Sequence, residues 1–246
     1  MTEDGLRPAE PTDTPGVTPA CGPTCSGLSW VPDVPWRAAM ILTYGALALA
    51  VVHYHGNLGF LPPQYDLFGW QAVNFVVLFL GPVLLVRLVF RERLAEYGVR
   101  LGEGRTWGRW LLVLLMVMLP VLVIASRLPD FHTFYPSYGP ARDDAWLLLP
   151  SMAGWLVYFL AWEFFFRGFL LFGLGRRLGA IAIFIQMVPF VMAHFPKLEL
   201  ESLSAIVAGI VLGWMAWRGK SFVGPWLLHW LVATVMDCLV VFWPLH

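Results

Sequence analysis

Long apolar segments alternate with short polar connections along the chain, and this pattern predicts a bundle of membrane-spanning helices. About 20 apolar residues in an α-helix cross the hydrocarbon core of a bilayer. The expected spans lie at about 37–55, 68–90, 108–126, 145–172, 179–196, 203–217 and 222–243, and the sixth is the shortest. We therefore expect an all-α fold, a polytopic transmembrane helical bundle with about seven spans.

The first part of the chain has a different composition from the rest. Residues 1–35 are rich in Pro, Thr, Gly and acidic side chains, and they contain no apolar run long enough to pack a core. Such a segment is typical of a disordered tail, and it lacks the basic start and apolar stretch of a secretory signal peptide. Residues 36–246 then form the transmembrane domain. The spacing of Cys21, Cys25 and Cys238 predicts no disulfide framework or zinc ribbon.

Composition and charge place the chain in the membrane and set its direction. Hydrophobic residues make up 59% and charged residues 13%, which is outside the range of a soluble domain. The net charge is zero and the basic residues follow the topology, so we expect no nucleic-acid partner. Basic residues favour cytoplasmic connections, which puts the amino terminus in the cytoplasm. The cytoplasmic set is then Arg7, Arg37, Arg87, Arg91, Arg93, Arg100, Arg105, Arg109, Arg176, Arg177, Arg218 and Lys220, against Arg127, Arg142 and Lys197 on the other side.

Two charged residues lie inside the fourth apolar segment. Glu163 and Arg167 are four residues apart, a spacing that pairs side chains on one helical face. Ionisable groups at bilayer depth are costly and commonly mark a functional site. A purely structural ion pair is an equal alternative, although an apolar pair is often as stable as a buried ion pair.

Three further polar residues lie in the later spans. His194 ends the fifth span, where a single histidine is more often structural than catalytic, whereas His229 lies several residues inside the last span and needs a partner. Asp237 follows His229 by eight residues, rotated by about 80°. It either lines the same groove or makes a polar contact with a neighbouring helix.

The three candidate residues fall at different depths in the membrane. At about 1.5 Å per residue, Glu163 and His229 fall in the cytoplasmic half of their spans, whereas His194 falls toward the outside. A tilted or broken fifth helix, which Pro189 and Pro196 would permit, brings the three to one level.

These residues carry a resemblance to a known family. Glu163-x-x-x-Arg167-Gly168, then Phe190-x-x-x-His194, then His229 resemble the motifs of the CPBP family, which contains type II CAAX prenyl proteases, bacteriocin-processing proteins and Abi proteins. The segment from Tyr97 to Leu101 is similar to the one ahead of the family's core. The resemblance covers about residues 90–243.

The resemblance implies an intramembrane endopeptidase that hydrolyses a peptide bond of a membrane-anchored protein or peptide with activated water. On this basis Glu163 is the general base or water-positioning carboxylate, and His194 is its partner. His229 with Asp237 is the oxyanion donor and its orienter, and Arg167 is the counter-ion of Glu163. A bacterial inner membrane is the expected location. No cofactor is expected; if a metal such as zinc were bound, its ligands would be Glu163, His194 and His229.

The chain departs from the family pattern at two positions. Trp162 stands where relatives have the first of two adjacent glutamates, and neighbouring helical residues point about 100° apart, so Glu163 does not inherit that geometry. Ala233 stands where relatives often have Asn, and Asp237 or Glu201 would have to replace it.

Two other classes of function stay open. A non-catalytic membrane scaffold or immunity protein is the main alternative, and Trp162 favours it. A proton-coupled transporter built on Glu163, His194 and His229 is disfavoured, because the polar residues cluster in the carboxy-terminal half without an inverted repeat.

Overall fold

The computed structural model describes residues 35–243, which contain helices, turns and extended connections and no strand. The predicted tail, residues 1–35, lies outside the described part apart from Pro35. The helix α5 runs from 148 to 178 through Leu148–Glu163, the π-helical stretch Phe164–Phe172 and Gly173–Leu178. The other helices are α1 Trp36–His55, α2 Pro63–Phe90, α3 Gly104–Ala125, α4 Pro129–Phe134, α6 Ala182–Met192, α7 Glu199–Gly219 and α8 Val223–Phe242.

Six helical segments are long and apolar enough to cross a membrane, which confirms a bundle of about seven spans. The longest, Ala145–Met192, has 48 residues, or about 72 Å of helix, more than twice the thickness of the hydrocarbon core. The chain turns at Gly179, whose φ of 60° and ψ of −146° are accessible essentially to glycine alone. The fourth and fifth predicted spans therefore both lie within this one segment, as α5 and α6.

The helix α7 is longer than the sequence pattern predicted. The sixth span was expected at about 203–217, whereas α7 has 21 residues. Glu199 and Glu201 lie in its first turn and Arg218 lies in its last turn. These charges complement the helix dipole and so extend the helix, but they lower the local hydropathy by which the span was located.

The helix α5 is the centre of the bundle. It contacts α1, α2, α6, α7 and α8, and its π-helical part is covered on every side. Phe164, Phe165, Phe166 and Phe169 are all fully buried. A helix that is apolar all round is one that other helices enclose, and α5 therefore carries its two charged residues into the interior of the protein rather than toward lipid.

The connector between α2 and α3, residues 91–103, is packed against the turn between α7 and α8. Arg100 Nε donates a hydrogen bond to the Lys220 carbonyl at 2.9 Å. The backbone N–H of Glu103 donates to the Gly219 carbonyl at 2.7 Å. The connector is thus fastened to α7 and α8, and α8 carries His229.

Glu92, at the start of this connector, joins three parts of the chain. Its carboxylate pairs with Arg37 at 2.6 Å and with Arg176 at 2.8 Å. It also accepts a 2.6 Å hydrogen bond from the buried Tyr97 hydroxyl. Since Arg37 belongs to α1 and Arg176 to α5, Glu92 ties the first helix and the central helix to the connector.

Candidate active site

Glu163 and Arg167 lie where α5 changes from α-helix to π-helix. Arg167 Nη1 donates to Glu163 Oε1 at 3.1 Å, and both side chains are fully buried. The guanidinium carbon of Arg167 also lies 4.0 Å from the centre of the Phe190 ring, a cation–π contact. Local π-helix is frequent at functional sites, and here it begins at the residue after Glu163.

His229 binds the same carboxylate oxygen. Its Nδ1 lies 2.7 Å from Glu163 Oε1, and because a carboxylate accepts, the imidazole donates through Nδ1. Its ring stacks on Phe159 with a centroid distance of 4.1 Å. Sequence reasoning missed Phe159, although its position four residues before Glu163 places it on the same face of α5.

His194 lies in the turn that follows α6. Its Nδ1 is 2.7 Å from the Phe190 carbonyl, which can only accept, so Nδ1 carries the proton and Nε2 carries the lone pair. The hydroxyl of Ser202 donates to the carbonyl of His194 at 2.6 Å and fastens the turn to α7. The Phe190 carbonyl thus sets the tautomer of the His194 imidazole and leaves Nε2 as its basic nitrogen.

The two imidazoles are close and nearly parallel. The ring centroids of His194 and His229 are 6.4 Å apart with an angle of 13° between the planes. The irregular fifth span allows this approach, because α6 has 11 residues, about 16 Å of helix, and ends at Met192. The helix runs through Pro189 without a break and ends two residues before His194. His194 therefore lies in a turn beside His229, which in turn contacts Glu163.

Trp162 lies beside His194. The indole is buried, and its ring centroid is 5.7 Å from that of His194 in an edge-on contact. It also contacts Phe166 at 5.0 Å. An aromatic ring thus occupies the face of α5 next to His194, where the resemblance leads one to expect a carboxylate.

Asp237 has a different partner from the one expected, and the role of orienter is corrected. Asp237 Oδ1 accepts a 3.1 Å hydrogen bond from the backbone N–H of Ser137, in the connection before α5. Glu163 is the carboxylate that holds His229. Eight residues of helix separate Asp237 from His229 by about 12 Å, so the open alternative, a polar contact with a neighbouring segment, is the one that the structure contains.

Glu201 also has partners away from the two imidazoles. Its Oε2 accepts a 2.8 Å hydrogen bond from the Tyr135 hydroxyl. Its Oε1 lies 3.4 Å from Lys197 Nζ. Glu201 and Asp237 thus both hold the connection between α3 and α5, which covers this end of the bundle.

The arrangement of these side chains does not fit a metal ion. Across residues 35–243, no group of three His, Cys, Asp or Glu side chains has a geometry suited to metal binding. Glu163, His194 and His229 are not such a group in this arrangement.

Fold and site together define a helical membrane protein whose interior holds a carboxylate, an imidazole hydrogen-bonded to it and a second imidazole parallel to the first. Residues 144–235 match the family model described as type II CAAX prenyl endopeptidase Rce1-like. This match supports membership of the CPBP family and, with it, a protease of the membrane. The matched segment contains Glu163, Arg167, His194 and His229 and ends two residues before Asp237. No curated protein and no solved structure matches the chain.

Proposed function

We propose that the protein is an intramembrane endopeptidase that hydrolyses a peptide bond of a membrane-anchored protein. The observation that carries this proposal is the hydrogen bond between His229 and Glu163 beside the parallel ring of His194. A general base and a donor for developing negative charge are the two groups that peptide hydrolysis by water requires. The family match supports the class of reaction, and the contacts of the side chains support the role of each residue.

His194 is the proposed general base. Its Nε2 accepts a proton from a water molecule while the water oxygen bonds to the carbonyl carbon of the substrate, and the carbonyl oxygen becomes negative. When the carbon–nitrogen bond then breaks, the same proton passes from His194 to the leaving amine. Glu163 Oε2 is buried and has no hydrogen-bond partner among residues 35–243, so it is the carboxylate oxygen available to position the water.

His229 is the proposed oxyanion donor. Since its Nδ1–H is held by Glu163, it donates through Nε2 when the ring is doubly protonated. The adjacent carboxylate stabilises that positive charge, and Arg167 in turn holds the carboxylate at 3.1 Å. Donors placed before the reaction in a site of low dielectric are worth more than they are in water.

The proposal extends to the class of substrate and to the cellular setting. A site inside an apolar bundle selects a substrate that is itself anchored in the bilayer. The distribution of arginine and lysine supports an amino terminus in the cytoplasm. We also propose that the protein lies in a bacterial inner membrane and that it hydrolyses its substrate without a metal.

The test uses purified protein in liposomes with a panel of membrane-anchored peptides. Wild type should release products that mass spectrometry identifies, in the presence or absence of a metal chelator. His194→Gln and Glu163→Gln should each lower the rate by about 10² to 10⁴, the usual contribution of general acid–base catalysis. His53→Gln, on the exposed end of α1, is the matched control and should retain the wild-type rate. Cleavage that survives both substitutions in the site would remove the proposal.

A non-catalytic scaffold is the second candidate, and the contact between Trp162 and His194 favours it. In that case the buried carboxylate and imidazoles hold the helices of the bundle together, and the membrane partner binds elsewhere on the protein. Capture of such a partner that is unaffected by His194→Gln and Glu163→Gln, together with no cleavage of any peptide, would support the scaffold.

A further inference from the structure

A second set of buried polar side chains lies between α2 and α5. On α5 the positions are spaced by four, three and four residues, which places all of them on one face of the helix. On α2 two buried amide side chains are spaced by three residues, which places them on one face of that helix. We call this set the α2–α5 seam, and its members are Gln71, Asn74, Ser151, Trp155, Tyr158 and Trp162, all buried.

Five members of the seam carry polar atoms that the protein does not satisfy. Across residues 35–243, these buried atoms have no hydrogen-bond partner: Gln71 Nε2, Asn74 Oδ1, Ser151 Oγ, Trp155 Nε1 and Trp162 Nε1. Most buried polar atoms in proteins have a partner, which is either another protein group or an ordered water molecule. A concentration of donors and acceptors in one seam is the environment that holds buried water, since each water needs two to four polar partners.

The seam is continuous and leads to the candidate active site. Ring centroids are 5.2 Å apart between Trp155 and Tyr158 and 5.5 Å apart between Tyr158 and Trp162. Trp162 in turn lies 5.7 Å from His194. Ser151 is near the first turn of α5, so the seam runs about 16 Å along that helix before it reaches the proposed base.

A glycine makes room for one of the amides. A Cβ atom at Gly154 would lie 2.3 Å from Gln71 Oε1, too close for any real contact. Only a residue without a side chain at this position lets the Gln71 amide enter the space between the two helices. The amide is thus built into the seam, where an apolar side chain would have packed without leaving an unpaired donor.

We propose that the α2–α5 seam binds a file of water molecules that extends to His194. Ser151, Gln71 and Asn74 hold the water, and the indole N–H groups of Trp155 and Trp162 complete its hydrogen bonds. The hydration of the seam is independent of any activity. Its further role, the supply of the water that is consumed in hydrolysis, rests on the proposed peptidase function.

Radiolytic labelling in ¹⁸O water tests the hydration directly. The full-length protein in lipid nanodiscs is exposed to a short X-ray pulse, which oxidises side chains next to bound water, and mass spectrometry maps the incorporated ¹⁸O. Trp155, Tyr158 and Trp162 should be labelled several-fold more than Met215, which is fully buried in an apolar cluster although methionine is readily oxidised. The double variant Gln71→Leu/Asn74→Leu should reduce the labelling of Trp155 and Tyr158, the two rings farther from His194, to the level of Met215.

Gln186→Leu is the matched control, because Gln186 is equally buried but lies between α6 and α7, where its Nε2 donates to the Gly209 carbonyl at 2.8 Å. This variant should leave the labelling of the seam unchanged. The hydrated seam would be overturned if Trp155 and Trp162 in the wild type are labelled no more than Met215. It would also be overturned if the labelling of Trp155 survives in the double variant.

Activity measurements separate the water supply from the peptidase itself. If the seam supplies water, the double variant lowers kcat several-fold and leaves KM unchanged. An unchanged kcat with a dry seam would overturn the supply role. A labelled seam in a wild-type protein without cleavage would support the hydration and remove the peptidase proposal.

Discussion

His229 and Glu163, 66 positions apart in the sequence, are joined by a 2.7 Å hydrogen bond between Nδ1 and Oε1. The same oxygen accepts from Arg167 at 3.1 Å, and the carboxylate and the guanidinium are fully buried. A buried charge that loses its partner is far more destabilising than the removal of both charges together. The stability of single and double variants can therefore separate the structural role of the ion pair from its chemical role.

The first prediction concerns that separation. Arg167→Met should destabilise the protein by about 3–5 kcal/mol, because Glu163 is left buried without its counter-ion. The double variant Glu163→Gln/Arg167→Met should recover most of that stability, since no uncompensated charge remains. Unfolding in detergent measures the stability, and the peptide assay measures the activity, which should be lost in both. A double variant as unstable as Arg167→Met alone would contradict the assignment.

The second prediction concerns the aromatic ring next to the proposed base. Trp162→Glu places a second carboxylate beside His194, where it can accept a proton from water, and we expect the cleavage rate to rise by at least about tenfold within the usual range of such groups. Trp162→Phe keeps an aromatic ring without the added acid and is the control for the change of side chain. A Trp162→Glu variant that folds and cleaves no faster than Trp162→Phe would show that the position does not limit the chemistry.

The charged residues could be identified from the sequence because each of them interrupts an otherwise apolar run. Glu163 and Arg167 at a spacing of four, and histidines in two other spans, are visible without any knowledge of the fold. Hydropathy also predicted the spans. It predicted a span shorter than α7, because Glu199 and Arg218 lower the mean hydropathy at the two ends of that helix. Local averages therefore locate helices better than they locate helix ends.

The pairing of those residues was not visible in the sequence. Helix packing, and not spacing, brings His229 to Glu163, and the same packing leaves Asp237 with the backbone of Ser137. The tautomer of His194 depends on the Phe190 carbonyl, an acceptor that every residue carries. Interactions with backbone groups and between distant spans are properties of the folded bundle alone.

The third prediction concerns Glu92, which ties α1, α5 and the connector together. Glu92→Gln should destabilise the protein by about 1–3 kcal/mol, chiefly through the loss of the charge-assisted hydrogen bond from Tyr97. The pairs with Arg37 and Arg176 contribute less, because those side chains are 50% and 37% exposed. Thermal unfolding measures the change. Glu199→Gln at an exposed position of α7 is the control, and the loss of its contact with the helix dipole should cost only about 0.3–1 kcal/mol. Equal stability of the two variants would remove the proposed role of Glu92.

The last prediction concerns alkaline pH and the connection between α3 and α5. Burial, and then the charge and hydrogen bond of Glu201, raise the pKa of Tyr135 well above its ordinary value. A raised pKa in the folded state means that the stabilisation is complete below the unfolded pKa of about 10 and is lost as the pH rises above it. We therefore expect unfolding temperatures to fall above about pH 10, with a smaller fall in Tyr135→Phe. Tyr54→Phe, an exposed tyrosine at the end of α1, should retain the wild-type pH dependence, and parallel curves for Tyr135→Phe and wild type would contradict the prediction.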